Sequence, residues 1–247
     1  MWTRVCTVLL AQVMFILTIG LAEDAKPPAE PAKNLRIGSL PVSRVVYLGN
    51  SITLHGPAPK IGWTLNCGMA ASAPEKDFVH LLTAKLAKAA GGQPQIRVKN
   101  IADFERQFET YDLEAGLKDE LAFAPTVVIV AIGENVPALT SDDAKAKYQA
   151  AFARLLSTLK KHGDPVVFVR SSFWADAAKD HGMEQASSQA GVVYLKIGDL
   201  GKNPANMASS ERKIEHAGVA AHPGDKGMQA IADALWTAIE KRAAVQK

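Results

Sequence analysis

The chain has 247 residues, of which 48% are hydrophobic and 21% charged, with a formal net charge of +3. That balance suits a folded domain with a full core and excludes both a highly charged disordered chain and a strongly basic nucleic-acid-binding protein. Two cysteines in the whole sequence exclude a disulfide-stapled scaffold.

The N-terminus comes first in chain order. Met1 to Arg4 is a short basic start, and Val5 to Leu21 is almost wholly apolar. Gly20 and Ala22 place small residues just before the acidic pair Glu23-Asp24, the layout of a secretory signal peptide cleaved after Ala22. The expected location is secreted or periplasmic, with no stable membrane anchor after cleavage. An uncleaved anchor is the alternative, because the apolar run is marginally long enough to span. Residues 23–36 are rich in Pro, Ala and charge and read as an extended linker. The expected organisation is therefore a signal peptide (1–22), a linker (23–36) and one domain (37–247). Loss of Arg4 takes the formal charge from +3 to +2. Loss of Cys6 leaves Cys67 alone, which permits no internal disulfide and no cysteine-based zinc site; it reads as a buried or incidental thiol.

Val45-Val46-Tyr47-Leu48 is a β-branched and aromatic run that stops at Gly49 and is followed by Asn50-Ser51. A long loop, His55 to Ala73, comes next, and loops of that length inside a domain are usually functional. Ser72-Ala73-Pro74-Glu75 reads as a capping box opening a helix over Asp77 to Ala90, with Phe78, Leu82, Leu86 and Ala89 on one face. Gln95 to Ile101 alternates as a strand does, and an irregular helical region spans Asp103 to Leu121. Thr126 to Ile132 is the clearest buried strand, bounded by Pro125 and Gly133. Ser141-Asp142-Asp143 caps a helix that ends at Lys160-Lys161-His162-Gly163. A strand over Val166 to Arg170, a weak helix over Asp176 to Gln189, a strand over Val192 to Ile197 and a helix over Asp225 to Arg242 complete the pattern. Strands alternating with helices predict an α/β fold: a doubly wound three-layer α/β/α sandwich on a five-stranded, mainly parallel sheet.

Three loops at the predicted C-terminal edge of that sheet carry chemistry. One holds Ser51, another Gly133-Glu134-Asn135, and the loop before the last helix holds His222-Pro223-Gly224-Asp225. Open parallel sheets bind ligands at this edge. A serine, an asparagine and a histidine gathered there suit acyl transfer: the hydroxyl attacks, the imidazole takes its proton, and the amide donates to the oxyanion. Trp63 either walls a substrate pocket or anchors the long loop, and Trp174 has the same two readings. Glu134 either meets substrate or is a solvated carboxylate. The six histidines (His55, His80, His162, His181, His216 and His222) show no metal-ligand spacing, so no metal and no cofactor is expected.

These residues resemble the SGNH or GDSL-type serine hydrolases. Gly49-Asn50-Ser51-Ile52-Thr53 is similar to the family's first block, with Asn50 where Asp is usual. Gly133-Glu134-Asn135 is similar to its third block and His222-Pro223 to its fifth. The resemblance implies a flavodoxin-like SGNH hydrolase fold, Ser51 as nucleophile, His222 as general base, and an oxyanion hole that includes Ser51 N–H and Asn135 Nδ2. The family's second block supplies a glycine N–H; here Ala102 takes that place by topology, with Gly68 a weaker alternative. The family's Asp three residues before the histidine is Val219 in this chain. A carboxylate from Asp199, Glu215 or Asp225, or else a backbone carbonyl, must then orient the imidazole. The expectation is an exported serine esterase acting on a small-molecule or glycan ester, with O-deacetylation of a carbohydrate favoured by family habit. The competing reading is a non-catalytic glycan-binding module that keeps the fold. No nucleic-acid partner is expected, and the sequence is silent on oligomeric state.

Overall fold

Short apolar runs flanked by turn residues become strands here, and their two alternating sets of side chains face two separate helical layers. The computed structural model describes residues 34–245, so the expected signal peptide and most of the expected linker lie outside the described residues. Within them, β1 (Arg36–Ile37) and β2 (Leu40–Pro41) form a small antiparallel pair. Arg36, placed in the linker by composition, thus already belongs to a strand. The pair is tied to the far end of the chain, where Ser39 N–H donates to Ala243 O at 3.2 Å.

Five further strands make the main sheet: β3 (Arg44–Gly49), β4 (Gln95–Asn100), β5 (Val127–Ala131), β6 (Val166–Arg170) and β7 (Val193–Leu195). Their spatial order is β4-β3-β5-β6-β7, and every neighbouring pair is parallel. The sheet reverses its direction of growth between β3 and β5, which makes the crevice beyond their C-terminal ends the expected ligand position. The helices are α1 (Phe78–Ala90), α2 (Ala102–Arg106), α3 (Leu113–Gly116), α4 (Lys118–Ala122), α5 (Asp142–Lys161), α6 (Ala177–Gln189), α7 (Ala217–Ala220) and α8 (Asp225–Ala244).

Successive strand residues point to opposite faces. Val45, Tyr47, Val127, Ile129 and Phe168 bury against α1 and α8, with Phe78, Leu82, Ile231 and Leu235 opposite them. Val46, Leu48, Val128, Val130, Val167 and Val169 bury against the other layer, which includes Phe104, Phe152, Leu155 and Met183. The structure is therefore the three-layer α/β/α arrangement. Two local expectations change. Asp77, rather than Ser72, caps α1 by accepting from His80 N–H at 2.8 Å, while Ser72 turns outward to Asp225. The irregular region after β4 resolves into three short helices, α2 to α4. Among the described residues no helix is long and apolar enough to cross a membrane.

Cys67 is 1% exposed, and burial pushes its thiol up to about 11, so it carries almost no thiolate at neutral pH. Phe152 is fully buried on α5 between helix and sheet. Phe152→Ala is expected to cost about 3–5 kcal/mol, read as a lower denaturant midpoint with an unchanged slope.

Candidate active site

Ser51 leaves the end of β3 through a turn that depends on Gly49. A Cβ at Gly49 would collide with the Thr53 side chain, so the chain can bend tightly there only without one. Thr53 N–H and Leu54 N–H both return to Asn50 O at 2.9 Å, closing the turn and lifting Ser51 into a cleft of about 470 Å³. Asn135, Arg106, His55, His216 and His222 line the same cleft. A second cavity, of about 480 Å³, lies at the opposite end of the strands among Arg36, Arg44 and Arg242.

His222 Nε2 stands 2.9 Å from Ser51 Oγ, and its Nδ1 stands 2.6 Å from Gly218 O. A carbonyl oxygen only accepts, so Nδ1 carries the proton and Nε2 is left as the acceptor for the serine hydroxyl. Gly218 O is available because α7 is a single turn: His222 N–H bonds Val219 O at 3.0 Å instead, leaving the neighbouring carbonyl without a helical partner. The ring also stands perpendicular to that of Trp174, with centroids 5.6 Å apart and an interplanar angle of 86°. Burial pushes the His222 pKa down, the Gly218 carbonyl and the charge of Glu134 oppose that shift, and the net displacement is downward.

Asp199, Glu215 and Asp225 do not orient this histidine. Asp199 lies at the surface with Lys202, its carboxylate 2.8 Å from the ammonium. Glu215 is exposed. Asp225 accepts from Ser72 N–H at 2.8 Å and from Ser72 Oγ at 2.6 Å. Val219, three residues before His222, is 3% exposed and packs in the core.

The oxyanion donors also need correction. Ala102 lines the cleft, but its N–H already donates to Asn100 Oδ1 at 2.9 Å. Gly68 N–H donates to Asp77 Oδ2 at 3.0 Å and is buried away from the cleft. Ser51 N–H makes no hydrogen bond among the described residues. Asn135 lines the cleft and donates one Nδ2 hydrogen to Glu105 Oε2 at 2.8 Å, which leaves the other for a ligand. Trp63 is a packing residue: it is 5% exposed, and its indole N–H donates to His55 O at 3.0 Å across the long loop.

Glu134 is neither solvated nor in the cleft. Its side chain is 6% exposed and lies 2.6 Å from the fully buried guanidinium of Arg170. Phe173 N–H donates to it at 2.7 Å and Asn50 Nδ2 at 2.6 Å. Burial would raise its pKa, but the Arg170 charge and these hydrogen bonds outweigh that and hold it below the usual carboxylate range. Glu105, fully buried, takes the opposite course. Burial and the nearby Glu134 push its pKa up, against hydrogen bonds from Asn135 and Gly133. Sequence reasoning missed Glu105 and Arg170, because α2 is too short for a periodic pattern and an arginine at a strand end usually reads as surface.

No protein-family model matches the sequence, and no curated protein matches it either. Solved structures do match. A candidate GDSL-like lipase from Bacteroides uniformis aligns over 81% of this chain and 96% of its own, at 13% identity and a TM-score of 0.51. A family two carbohydrate esterase from Cellvibrio japonicus aligns over 83% of this chain at 15% identity and a TM-score of 0.50. The fold is that of the SGNH hydrolases. This chain spans 62% of the Cellvibrio esterase. A third match, over 87% of this chain and 70% of its own at 13% identity and a TM-score of 0.50, is a carbohydrate esterase whose active site displays divergent catalytic and non-catalytic binding functions.

Within that SGNH fold the amide at position 50 has a local reason. Asn50 Nδ2 donates to both Glu134 Oε2 and Glu105 Oε1 (3.2 Å), while its Oδ1 accepts from Ile52 N–H at 3.1 Å. An aspartate would place a third carboxylate against the other two. Asn50→Asp is expected to lower stability by about 3 kcal/mol at neutral pH. The new carboxyl binds its proton more tightly folded than unfolded, so the loss grows as pH rises through the carboxylate range. Thermal unfolding of both proteins at pH 4 and pH 8 measures it; an equal loss at both would count against the like-charge explanation.

Proposed function

We propose that this chain is an exported serine esterase that hydrolyses carboxylic esters through an acyl-enzyme on Ser51, with a carbohydrate O-acetyl ester as substrate. The observation that carries the reading is the relay Ser51 Oγ–His222 Nε2–His222 Nδ1–Gly218 O, with contacts of 2.9 Å and 2.6 Å at its two ends. Export is supported by the signal-like first 22 residues. The carbohydrate substrate is supported by the carbohydrate esterases that share the fold.

The chemistry runs in two balanced halves. Ser51 Oγ attacks the ester carbonyl carbon as its proton moves to Nε2, and the carbonyl π electrons move onto oxygen. Ser51 N–H and the free Nδ2 hydrogen of Asn135 stabilise that oxyanion. As the carbonyl re-forms, the carbon–oxygen bond to the alcohol breaks and the leaving oxygen takes the proton from Nε2. Water then attacks the acyl group with the same proton traffic, releasing the carboxylic acid and restoring Ser51. The Gly218 carbonyl does the orienting done elsewhere by a carboxylate, without a full negative charge against the imidazolium.

A second reading, a glycan-binding module without turnover, is favoured by Val219 in place of an acidic partner. Labelling with a fluorophosphonate, together with hydrolysis of short aryl esters, separates the two. A Ser51-dependent adduct and turnover lost in Ser51→Ala are expected; no adduct and no turnover would sink the enzyme reading. His222→Ala is expected to reduce kcat/KM about a thousandfold. The neutral imidazole is the active form and burial lowers its pKa, so kcat/KM should rise with pH and level off below the range of a free imidazole. An acid limb at or above that range would contradict the buried base.

A further inference from the structure

The cleft-facing amide of Asn135 is gripped from behind by consecutive residues of α2. Glu105 Oε2 accepts from Asn135 Nδ2 at 2.8 Å, and Arg106 Nη2 donates to Asn135 Oδ1 over a longer 3.4 Å. The backbone is held by the same carboxylate: Glu105 Oε1 accepts from Gly133 N–H at 2.7 Å and from Asn135 N–H at 3.1 Å. Asn50 Nδ2, one residue before Ser51, donates to that oxygen as well. Burial and Glu134 favour the protonated form of Glu105, but all four of its partners are N–H groups that only donate, and both oxygens are engaged as a carboxylate's would be. An amide has two near-equivalent orientations, and only its partners decide which end is nitrogen. Here an anion stands behind the nitrogen and a cation behind the oxygen.

We propose that Glu105 is a positioning residue: its carboxylate fixes the Asn135 amide with nitrogen toward the oxyanion position and ties that loop to the residue preceding Ser51. The catalytic consequence rests on the ester-hydrolysis reading, while the clamp itself is a property of the fold. Gly133 shows how tightly the loop is drawn in. Its φ is +129°, and a Cβ there would strike the Ser172 side chain, so the segment between β5 and Asn135 has little room to find another path to the cleft.

Glu105→Gln is the test, because it preserves shape and removes the charge. The glutamine oxygen can keep the three donors now on Oε1, which leaves its NH2 facing the NH2 of Asn135. The clash either breaks that contact or turns the Asn135 oxygen to where the nitrogen was, and an oxygen there repels an oxyanion. On an aryl acetate, kcat is expected to fall about tenfold to hundredfold with KM changed little, short of the full loss of an oxyanion donor. In an Asn135→Ala background the same Glu105→Gln change should cost less than about twofold, since the group it acts through is already gone. Equal losses in the two backgrounds would overturn the proposal in favour of a merely structural role.

A second readout does not depend on turnover or on Glu105→Gln folding. The side-chain amide resonances of Asn135 in the unsubstituted protein, identified by their absence in Asn135→Ala, should show one proton shifted downfield and protected from exchange. An amide averaging freely between orientations would overturn the clamp. If no Ser51-dependent hydrolysis is found, the esterase reading fails and this resonance still decides the clamp.

Discussion

Two carboxylates, Glu105 and Glu134, are buried together at the C-terminal edge of the sheet, and the loops around the cleft are arranged by the need to satisfy them. A buried charge without partners is costly enough to unfold a domain of ordinary stability. Here the partners arrive from three directions: Asn50 after β3, Gly133 and Asn135 after β5, and Arg170 with the Phe173 N–H from the end of β6. Glu105 itself comes from α2, just beyond β4. Four neighbouring strand ends therefore converge on one polar cluster, with the apolar sheet core beneath it. Moving any one loop would strand a charge belonging to another.

The same cluster reaches the histidine indirectly. Glu134 holds the backbone at Phe173, and the next residue, Trp174, sets its ring against His222. Ser51 and Asn135 are thus fixed by hydrogen bonds on one side of the cleft. His222 is fixed by a backbone carbonyl and a perpendicular indole ring on the other. In the proposed chemistry the imidazole gains a proton while facing a neutral dipole, so the positive charge is stabilised less than it would be by an adjacent carboxylate.

Much of this was legible in the amino-acid order. Continuous β-branched and apolar runs mark β3, β5 and β6, alternation marks β4, and the residues just past β3 and β5 supply Ser51 and Asn135. His222 before α8 was equally visible. What stayed hidden depends on contacts between residues far apart in sequence. Nothing near Glu105 indicates that an amide 30 residues later will take its second oxygen. Trp63 and Glu134 looked like pocket residues because aromatic and acidic side chains beside a nucleophile often are; burial in one case and Arg170 in the other decide otherwise. The Ala102 and Gly68 amides are not free to donate into the cleft for a similar reason. Each is taken by a nearby polar side chain, Asn100 or Asp77, that competes locally for backbone hydrogen bonds.

The carbonyl behind His222 has a further implication. A side-chain partner can be lost or regained by changing one codon, whereas a main-chain oxygen is present whatever residue occupies position 218. The orientation of the imidazole therefore needs no particular side chain at its anchor, although a Cβ at Gly218 would press on the His216 ring, and it depends on chain length. The anchor lies four positions before the ring it holds. One residue inserted into or removed from that single helical turn would carry the oxygen around the turn and away from Nδ1. In this segment the position of the oxygen is set by the count of residues in the turn.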